Sequence, residues 1–104
     1  MVEPDFINIT TATYGLIELF MKIYNLKSTP ETFTISFEKN LIYDVSKQVT
    51  IPANEFAKLR ILVDTTWLSQ GTYDEYITVT SDDEAEQIGL EVELLKKAVA
   101  APAV

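Results

Sequence analysis

Four carboxylates lie within five positions late in the chain, at Asp82, Asp83, Glu84 and Glu86. Hard cations such as calcium bind six to eight oxygen ligands, so this cluster raises the question of a metal site. It lacks the alternating D-x-D-x-D spacing and the following glycine of a calcium loop. Because strand-like segments flank it, we favour a hairpin tip kept soluble by charge, with Ser81 and Asp82 making the turn. Calcium binding here is the less favoured interpretation, and no cofactor is predicted.

Nucleophilic catalysis has few candidate residues in this chain. The sequence contains no histidine and no cysteine, which removes the usual general base and the thiol nucleophile. The serines fall in predicted turns or on polar strand faces, and none has a nucleophile-elbow pattern around it. They are Ser28, Ser36, Ser46, Ser69 and Ser81. We therefore expect a protein that is not an enzyme.

Composition limits the choice of partners. The 104 residues suit one domain, and 47% hydrophobic residues suffice for one core. Eight basic residues against 16 acidic ones give a net charge of −8, which repels phosphate backbones and anionic lipid headgroups. We expect no nucleic-acid partner. No apolar run reaches the roughly 20 residues of a membrane span, and residues 1–5 do not resemble a signal peptide. We expect no membrane insertion, and the location stays open, with a virion or cell surface among the alternatives.

The elements that position these residues follow a period of two. Apolar and polar residues alternate over residues 16–25, 32–37, 57–64, 72–81 and 88–94, as in half-buried strands. Shorter extended segments fit at 6–10, 41–45 and 48–51. The predicted inward residues are Ile17, Leu19, Met21, Ile23, Phe33, Ile35, Phe37, Leu59, Ile61, Val63, Tyr73, Ile77, Val79, Ile88, Leu90, Val92 and Leu94. About seven or eight strands at this spacing predict an all-β, antiparallel sandwich.

The C-terminal segment is the one stretch with helix-forming composition. Residues 85–98 are rich in Ala, Glu, Leu and Lys, but their apolar residues keep period two around Gly89. A strand through Leu94 or Leu95 is therefore predicted. We assign residues 1–97 to a single domain and residues 98–104 to a flexible tail.

The later half of the chain carries a family resemblance. The segment "IPANEFAKLRILVDTTWLSQGTYDEYITVTSDD" resembles bacterial and archaeal immunoglobulin-like repeats, including the ASPM-SPD-2-Hydin and BACON types. The matching pieces are "IPA" at 51–53, "VDT" at 63–65, "LSQGTY" at 68–73 and "ITVTS" at 77–81, with "ATYG", Asn25 and "TFTISF" upstream in family order. The resemblance implies an immunoglobulin-like β-sandwich. It implies no catalytic or ligand residue, because these families share a scaffold.

Three residues of this segment are predicted to shape the end of the sandwich. Gly71 permits a sharp entry into its strand. Tyr73 buries its ring while its hydroxyl bonds the backbone at a corner, and Asp64 caps the following turn. Asn54-Glu55 replaces the usual pair of glycines, which predicts a turn of different shape. Trp67 stands where a small residue is common, and a half-buried plug at the sandwich end is favoured over an interface anchor.

Several large side chains fall on the outward positions of their strands. If Phe20, Tyr24 and Leu62 share one sheet face, they form an apolar patch of the kind found at interfaces. Alternatively, the stems of Lys22, Lys58 and Arg60 cover that patch, and both interpretations stay open. The predicted interface residues are Phe20, Tyr24, Leu62, Trp67 and Tyr76, with self-association or a protein partner implied.

Two classes of function remain after these exclusions. The first is a structural protein that assembles with copies of itself or with a lattice, such as a virion surface or decoration subunit or an appendage component. The second is a recognition module for a protein, peptide or glycan, acting through end loops or an edge strand. A chaperone of the pilus or sperm-protein type is a third, weaker alternative.

The strand parity generates a test of the core. Ile61→Ala and Ile77→Ala should each lower the free energy of unfolding by about 2 to 5 kcal/mol, because each leaves a cavity. Arg60→Ala and Thr78→Ala, on the outward parity, should stay within about 1 kcal/mol. Chemical denaturation of the four variants measures the ranking. A reversed ranking would show that the two faces are exchanged, as a one-residue slip would do.

Overall fold

A computed structural model describes residues 1–38, 41–82 and 84–96, and nine strands lie in these ranges. They are β1 (Val2–Glu3), β2 (Phe6–Thr11), β3 (Leu16–Tyr24), β4 (Glu31–Phe37), β5 (Ile42–Asp44), β6 (Gln48–Ile51), β7 (Phe56–Asp64), β8 (Gly71–Thr80) and β9 (Ala85–Leu94). The predicted strand through Leu94 is confirmed. The predicted tail at 98–104 lies outside the described residues.

The strands form two sheets packed face to face. The first sheet has the order β1-β3-β7-β5, and the second has the order β2-β9-β8-β4-β6. The predicted all-β sandwich is confirmed, with two differences in detail. The short strand β1 was not predicted, because two residues are too few to show an alternation of apolar and polar side chains. The pair β2–β9 is parallel, because the chain leaves the first sheet after β1 and enters the second beside its last strand.

The core lies between the inward faces of the two sheets. Every residue predicted to point inward is buried in this core or packs against it. The most completely buried side chains include Ile23, Ile61, Val63, Ile77 and Val92. The period of two therefore gave the correct face for each main strand, since alternation along a strand is a local property of the backbone.

Glu75 is a polar exception on an inward position of β8. Its side chain is 4% exposed, and Oε1 accepts the backbone N–H groups of Leu41 at 2.6 Å and Ile42 at 3.3 Å. Those residues lead into β5 of the other sheet. A buried carboxylate thus joins the two sheets by bonds to backbone donors, which are stronger than neutral hydrogen bonds. Glu75 was not among the residues predicted to point inward, because inward positions were assigned from apolar side chains.

A buried asparagine lies at one end of the β3–β7 pair. Asn25 follows β3, and its Nδ2 donates to the carbonyls of Thr29 at 2.8 Å, Ile51 at 3.0 Å and Pro52 at 3.1 Å. Its Oδ1 accepts the N–H of Lys27 at 3.0 Å. This side chain therefore ties the end of β3 to the loop that follows it and to the end of β6.

A threonine and a glycine fix the other end of the same pair. Thr65 donates its N–H to the Gly15 carbonyl at 2.9 Å, and Gly15 donates its N–H to Thr65 Oγ1 at 3.0 Å. The Thr65 hydroxyl also lies 3.1 Å from the Gly15 carbonyl oxygen. Between the two ends, β3 and β7 pair over nine residues without a register shift, from Leu16 opposite Asp64 to Tyr24 opposite Phe56.

Asn25→Ala should lower the free energy of unfolding by about 2 to 4 kcal/mol, because it leaves buried carbonyls without their donor. Asn8→Ala is the matched control, since Asn8 is exposed on β2 and should change stability by about 0.5 kcal/mol. Urea denaturation of both variants measures the difference. Equal stability of the two variants would contradict the role assigned to Asn25.

Candidate functional site

The outward side chains of β3 and β7 form what we call the front face. Its members are Leu16, Glu18, Phe20, Lys22 and Tyr24 on β3 and Phe56, Lys58, Arg60, Leu62 and Asp64 on β7. The face exists because the alternate residues of both strands point into the core. Phe20, Tyr24 and Leu62, which the sequence analysis selected, all lie on it.

Two lysines face each other at the centre of the front face. Lys22 lies directly opposite Lys58 in the strand register, an arrangement in which like charges repel. The side chains reach diagonally in opposite directions: Lys58 Nζ lies 4.4 Å from the Phe20 ring centre, and Lys22 Nζ lies 5.1 Å from that of Phe56. Attraction between each ammonium and its ring offsets part of the repulsion.

The lysine stems therefore cover part of each ring, as in the second of the two open interpretations. Substantial ring surface nevertheless remains accessible, since Phe20 is 44% exposed and Phe56 is 53% exposed. The front face is a mixed surface in which aromatic rings alternate with cations, and it is not a continuous apolar patch. Aromatic residues are enriched at protein interfaces, whereas lysine is depleted there, so the rings are the interface-like part of this surface.

Tyr24 connects the front face to β1. Its ring packs against Phe56 with 5.5 Å between ring centroids, and its hydroxyl donates to Glu3 Oε2 at 3.0 Å. The hydrogen bond to Glu3 raises the pKa of Tyr24 above the ordinary 10.0, and desolvation and the negative charge of Glu3 act in the same direction. Tyr24 is therefore a neutral hydrogen-bond donor at physiological pH.

The far end of the front face is less aromatic. Arg60 Nη1 lies 3.7 Å from Glu18 Oε2, and both side chains are about half exposed, so the pair contributes little stability. Leu62 lies opposite Glu18 and is half-buried, with Asp44 of β5 on its other side at an irregularity in the pairing. Leu62 thus marks the edge of the exposed aromatic region.

A surface groove of about 630 Å³ opens onto the front face. The side chains of Phe20, Lys22 and Lys58 line one side of it, and residues 2–5 line the other as the chain crosses between the sheets. Its charged lining is mixed, because the carboxylates of Glu3 and Asp5 stand with the ammonium groups of Lys22 and Lys58 beside the Phe20 ring. A ligand in the groove would therefore meet both signs of charge and an aromatic surface.

Tyr76 lies on the opposite side of the molecule. We call the outward side chains of β2, β8 and β9 the back face. Tyr76 is exposed there beside Gly89, and the Phe6 ring rests on the same glycine. A Cβ added at Gly89 would lie 2.9 Å from Phe6 Cδ2, so only glycine leaves room for this contact. The predicted interface residues are therefore divided between two sheets.

Trp67 is not the half-buried plug that the sequence analysis favoured. Its side chain is 90% exposed. The chain turns here with a hydrogen bond from the Leu68 N–H to the Thr65 carbonyl at 3.1 Å, and Leu68 packs against the core. Because Leu68 fills this end of the sandwich, Trp67 points into solvent.

The three predicted corner residues lie around the β7–β8 connection. Gly71 has a φ of 154°, which side chains disfavour, and the Tyr73 hydroxyl donates to the Ser69 carbonyl at 2.8 Å. Asp64 Oδ1 accepts the hydroxyl of Thr66 at 2.6 Å and its N–H at 3.0 Å. These two bonds, the hydroxyl first, lower the pKa of Asp64 below its ordinary value because they stabilise the carboxylate.

The acidic cluster lies at the tip of the β8–β9 hairpin. Thr80 pairs with Ala85, and the Ser81 N–H donates to the Glu84 carbonyl at 2.8 Å. The predicted hairpin is therefore present, while Asp83 lies outside the described residues. Among residues 1–38, 41–82 and 84–96, no three or more His, Cys, Asp or Glu side chains are grouped to hold a metal ion. In the same ranges no helix has the length and apolar character needed to cross a bilayer.

Two exposed aromatic residues of these faces were missed in the sequence. Phe56 was left out because the predicted strand began at residue 57, although it shares the parity of Lys58 and Arg60. Phe6 is the first residue of β2 and lies on the back face through its pairing with Gly89. In both cases the parity of the strand was the signal that could have found the residue.

No protein-family model and no curated protein matches the chain. Solved structures of several kinds of protein share its fold, among them the following three. A family 123 glycoside hydrolase from Clostridium perfringens matches at a TM-score of 0.75 and 16% identity, over 88% of this chain and 23% of that one. The CupB2 chaperone of Pseudomonas aeruginosa matches at 0.73 and 11% identity, over 90% and 55%. The ASH / PapD-like domain 7 of human CEP192 matches at 0.71 and 11%, over 94% and 86%.

The chain has an immunoglobulin-like fold. The predicted fold is thereby confirmed, since the PapD-like domain is matched over nearly its whole length. The chain spans less than a quarter of the glycoside hydrolase and about half of the CupB2 chaperone. Identities this low show the fold alone, and the closer resemblance to ASPM-SPD-2-Hydin and BACON repeats stays a prediction.

Tyr73→Phe should lower the free energy of unfolding by about 1 to 2 kcal/mol, because it removes the hydroxyl that bonds the Ser69 carbonyl. Tyr43→Phe is a matched control, since the Tyr43 ring is exposed. Thermal denaturation followed by circular dichroism compares the two. An unchanged midpoint in Tyr73→Phe would remove the assigned corner role.

Proposed function

We propose that this chain is a non-enzymatic protein-interaction module that works as a structural subunit and associates through its front face. The observation that carries the proposal is the group of outward rings on one sheet, the exposed Phe20 and Phe56 and the half-buried Tyr24, held in place by cross-strand contacts. Aromatic side chains fixed in this way lose little conformational entropy on binding and are common anchors of interfaces.

These rings contribute to the surface rather than to the core. The core is filled by the inward residues of the same strands, such as Met21 and Ile61. Phe20 and Phe56 stand on outward positions where threonine, lysine or glutamate would serve a solitary domain. Their presence is therefore better explained by association than by folding.

The absence of histidine and cysteine from the sequence supports a role without catalysis. Among the structures with this fold, CupB2 is a chaperone, and the glycoside hydrolase is matched over 23% of its length. A net charge of −8 also disfavours nucleic acid as a partner. These points favour a protein partner or a second copy of the chain.

More specifically, we propose a subunit of a larger assembly, such as a virion surface or decoration protein or an appendage component. A recognition module for a protein, peptide or glycan is the alternative. The groove beside Phe20 and Lys58 favours that alternative, because its volume of about 630 Å³ accommodates an extended segment of a ligand.

Phe20→Ser combined with Tyr24→Ser should abolish self-association or incorporation into a larger particle. Each surface substitution should change the free energy of unfolding by about 0.5 kcal/mol, whereas buried aromatic anchors commonly contribute 2 kcal/mol or more of an interface. Size-exclusion chromatography with light scattering over a range of concentrations measures the association, and a thermal melt measures the fold.

Leu26→Ser combined with Leu95→Ser is the control for this experiment. Both leucines are exposed and lie outside the front face, so this variant removes apolar surface without touching the proposed interface. It should associate like the unmodified chain. If the Phe20 and Tyr24 variant also assembles normally, the front face is not the interface, and the end loops around Trp67 and the hairpin tip replace it.

A further inference from the structure

The back face carries a row of like charges of its own. Asp74 of β8 lies directly opposite Glu91 of β9, and Glu93 follows two positions along β9. The strands β2, β8 and β9 contain no lysine or arginine, so no basic residue of the same strands balances these carboxylates. Like charges directly opposite each other destabilise a sheet.

The front face has the same arrangement with the opposite sign. Lys22 lies opposite Lys58, and Arg60 follows two positions along β7. Neither lysine forms an ion pair with any residue in the described part of the chain. On the front face, Glu3 of β1 lies opposite Lys22 on its other side without an ion pair between them, whereas the strands of the back face offer their carboxylates no basic neighbour.

An aromatic row lies next to the charged row on both faces. On the front face, Tyr24 and Phe56 are opposite each other and two positions from the lysine pair. On the back face, Tyr76 and the Phe6 ring flank Gly89, two positions from the carboxylate pair. Because residues two apart along any strand are separated by about 7 Å, the two rows have the same spacing on both faces.

We propose that the back face of one copy docks on the front face of a second copy, with the carboxylate row over the lysine row and the aromatic rows in contact. The inference rests on the proposed function, to which it adds the partner and the partner's surface. Docking relieves both like-charge pairs at once, since Asp74 and Glu91 neutralise Lys22 and Lys58.

The size of the faces sets the strength of this contact. Nine residues at about 3.4 Å each, and two strands at about 4.8 Å, give a front face of about 300 Å². Stable interfaces bury about 800 Å² per partner. The association should therefore be weak, concentration-dependent and reduced at high salt, which screens exposed charges.

The contact joins two different surfaces, and this gives it a distinctive test. A front-to-back contact leaves one free front and one free back on every dimer, so wild-type chains should extend into longer species as concentration rises. Lys58→Glu blocks the front face and leaves the back face intact, while Glu91→Lys does the reverse. Each variant alone should be monomeric, and an equimolar mixture should regain association through its one unmodified front face and its one unmodified back face.

Sedimentation velocity at low salt distinguishes these species. Lys47→Glu and Glu84→Lys are matched controls, because they make the same changes in net charge at exposed positions outside both faces and should keep wild-type association. Both test substitutions turn a like-charge pair into an opposite-charge pair. Their thermal melts should therefore stay cooperative, and loss of association cannot be attributed to unfolding.

Three results would overturn the inference. If Glu91→Lys dimerises alone while Lys58→Glu does not, the front face binds another front face, and the proposed function stands. If both charge variants associate like wild type while Phe20→Ser with Tyr24→Ser is monomeric, the partner surface lies elsewhere, and the proposed function again stands. A wild-type chain that stays monomeric at every concentration would exclude self-docking. The partner of the front face would then be a different protein.

Discussion

The pairing of β3 with β7 runs over nine residues in one register, with a buried polar residue at each end. Asn25 ties the end of β3 to the loop after it and to the end of β6, and Thr65 at the other end forms reciprocal bonds with Gly15. Since a shift of one residue would exchange the two faces of a strand, this register decides which side chains reach solvent. The position of every ring and cation on the front face follows from this register.

The two sides of each strand meet different physical demands. Inward residues such as Ile61 and Val63 supply burial, and Glu75 shows that a carboxylate is accepted there when backbone donors surround it. On the outward side, Lys22 lies opposite Lys58, and the repulsion between the two ammonium groups opposes folding. Their diagonal contacts with the rings of Phe56 and Phe20 offset part of this repulsion.

Local properties of the chain could be predicted from the sequence, and properties set by distant contacts could not. Strand parity is local, so the inward residues of the core were predicted correctly, whereas the shared face of Phe20, Tyr24 and Leu62 was only a condition that the β3–β7 pairing meets. The order of strands in a sheet is not local, which is why Tyr76 was grouped with residues of the other sheet. Trp67 was misjudged because its exposure depends on Leu68 filling the sandwich end.

The parallel pairing of β2 with β9 determines how the domain responds to mechanical load. Six consecutive residue pairs join the strands, from Phe6 beside Gly89 to Thr11 beside Leu94. Tension pulling the start of β2 away from the end of β9 acts along both strands, so their hydrogen bonds are sheared together instead of opening one after another. A subunit linked to neighbours through its two termini would therefore resist stretching through this ladder.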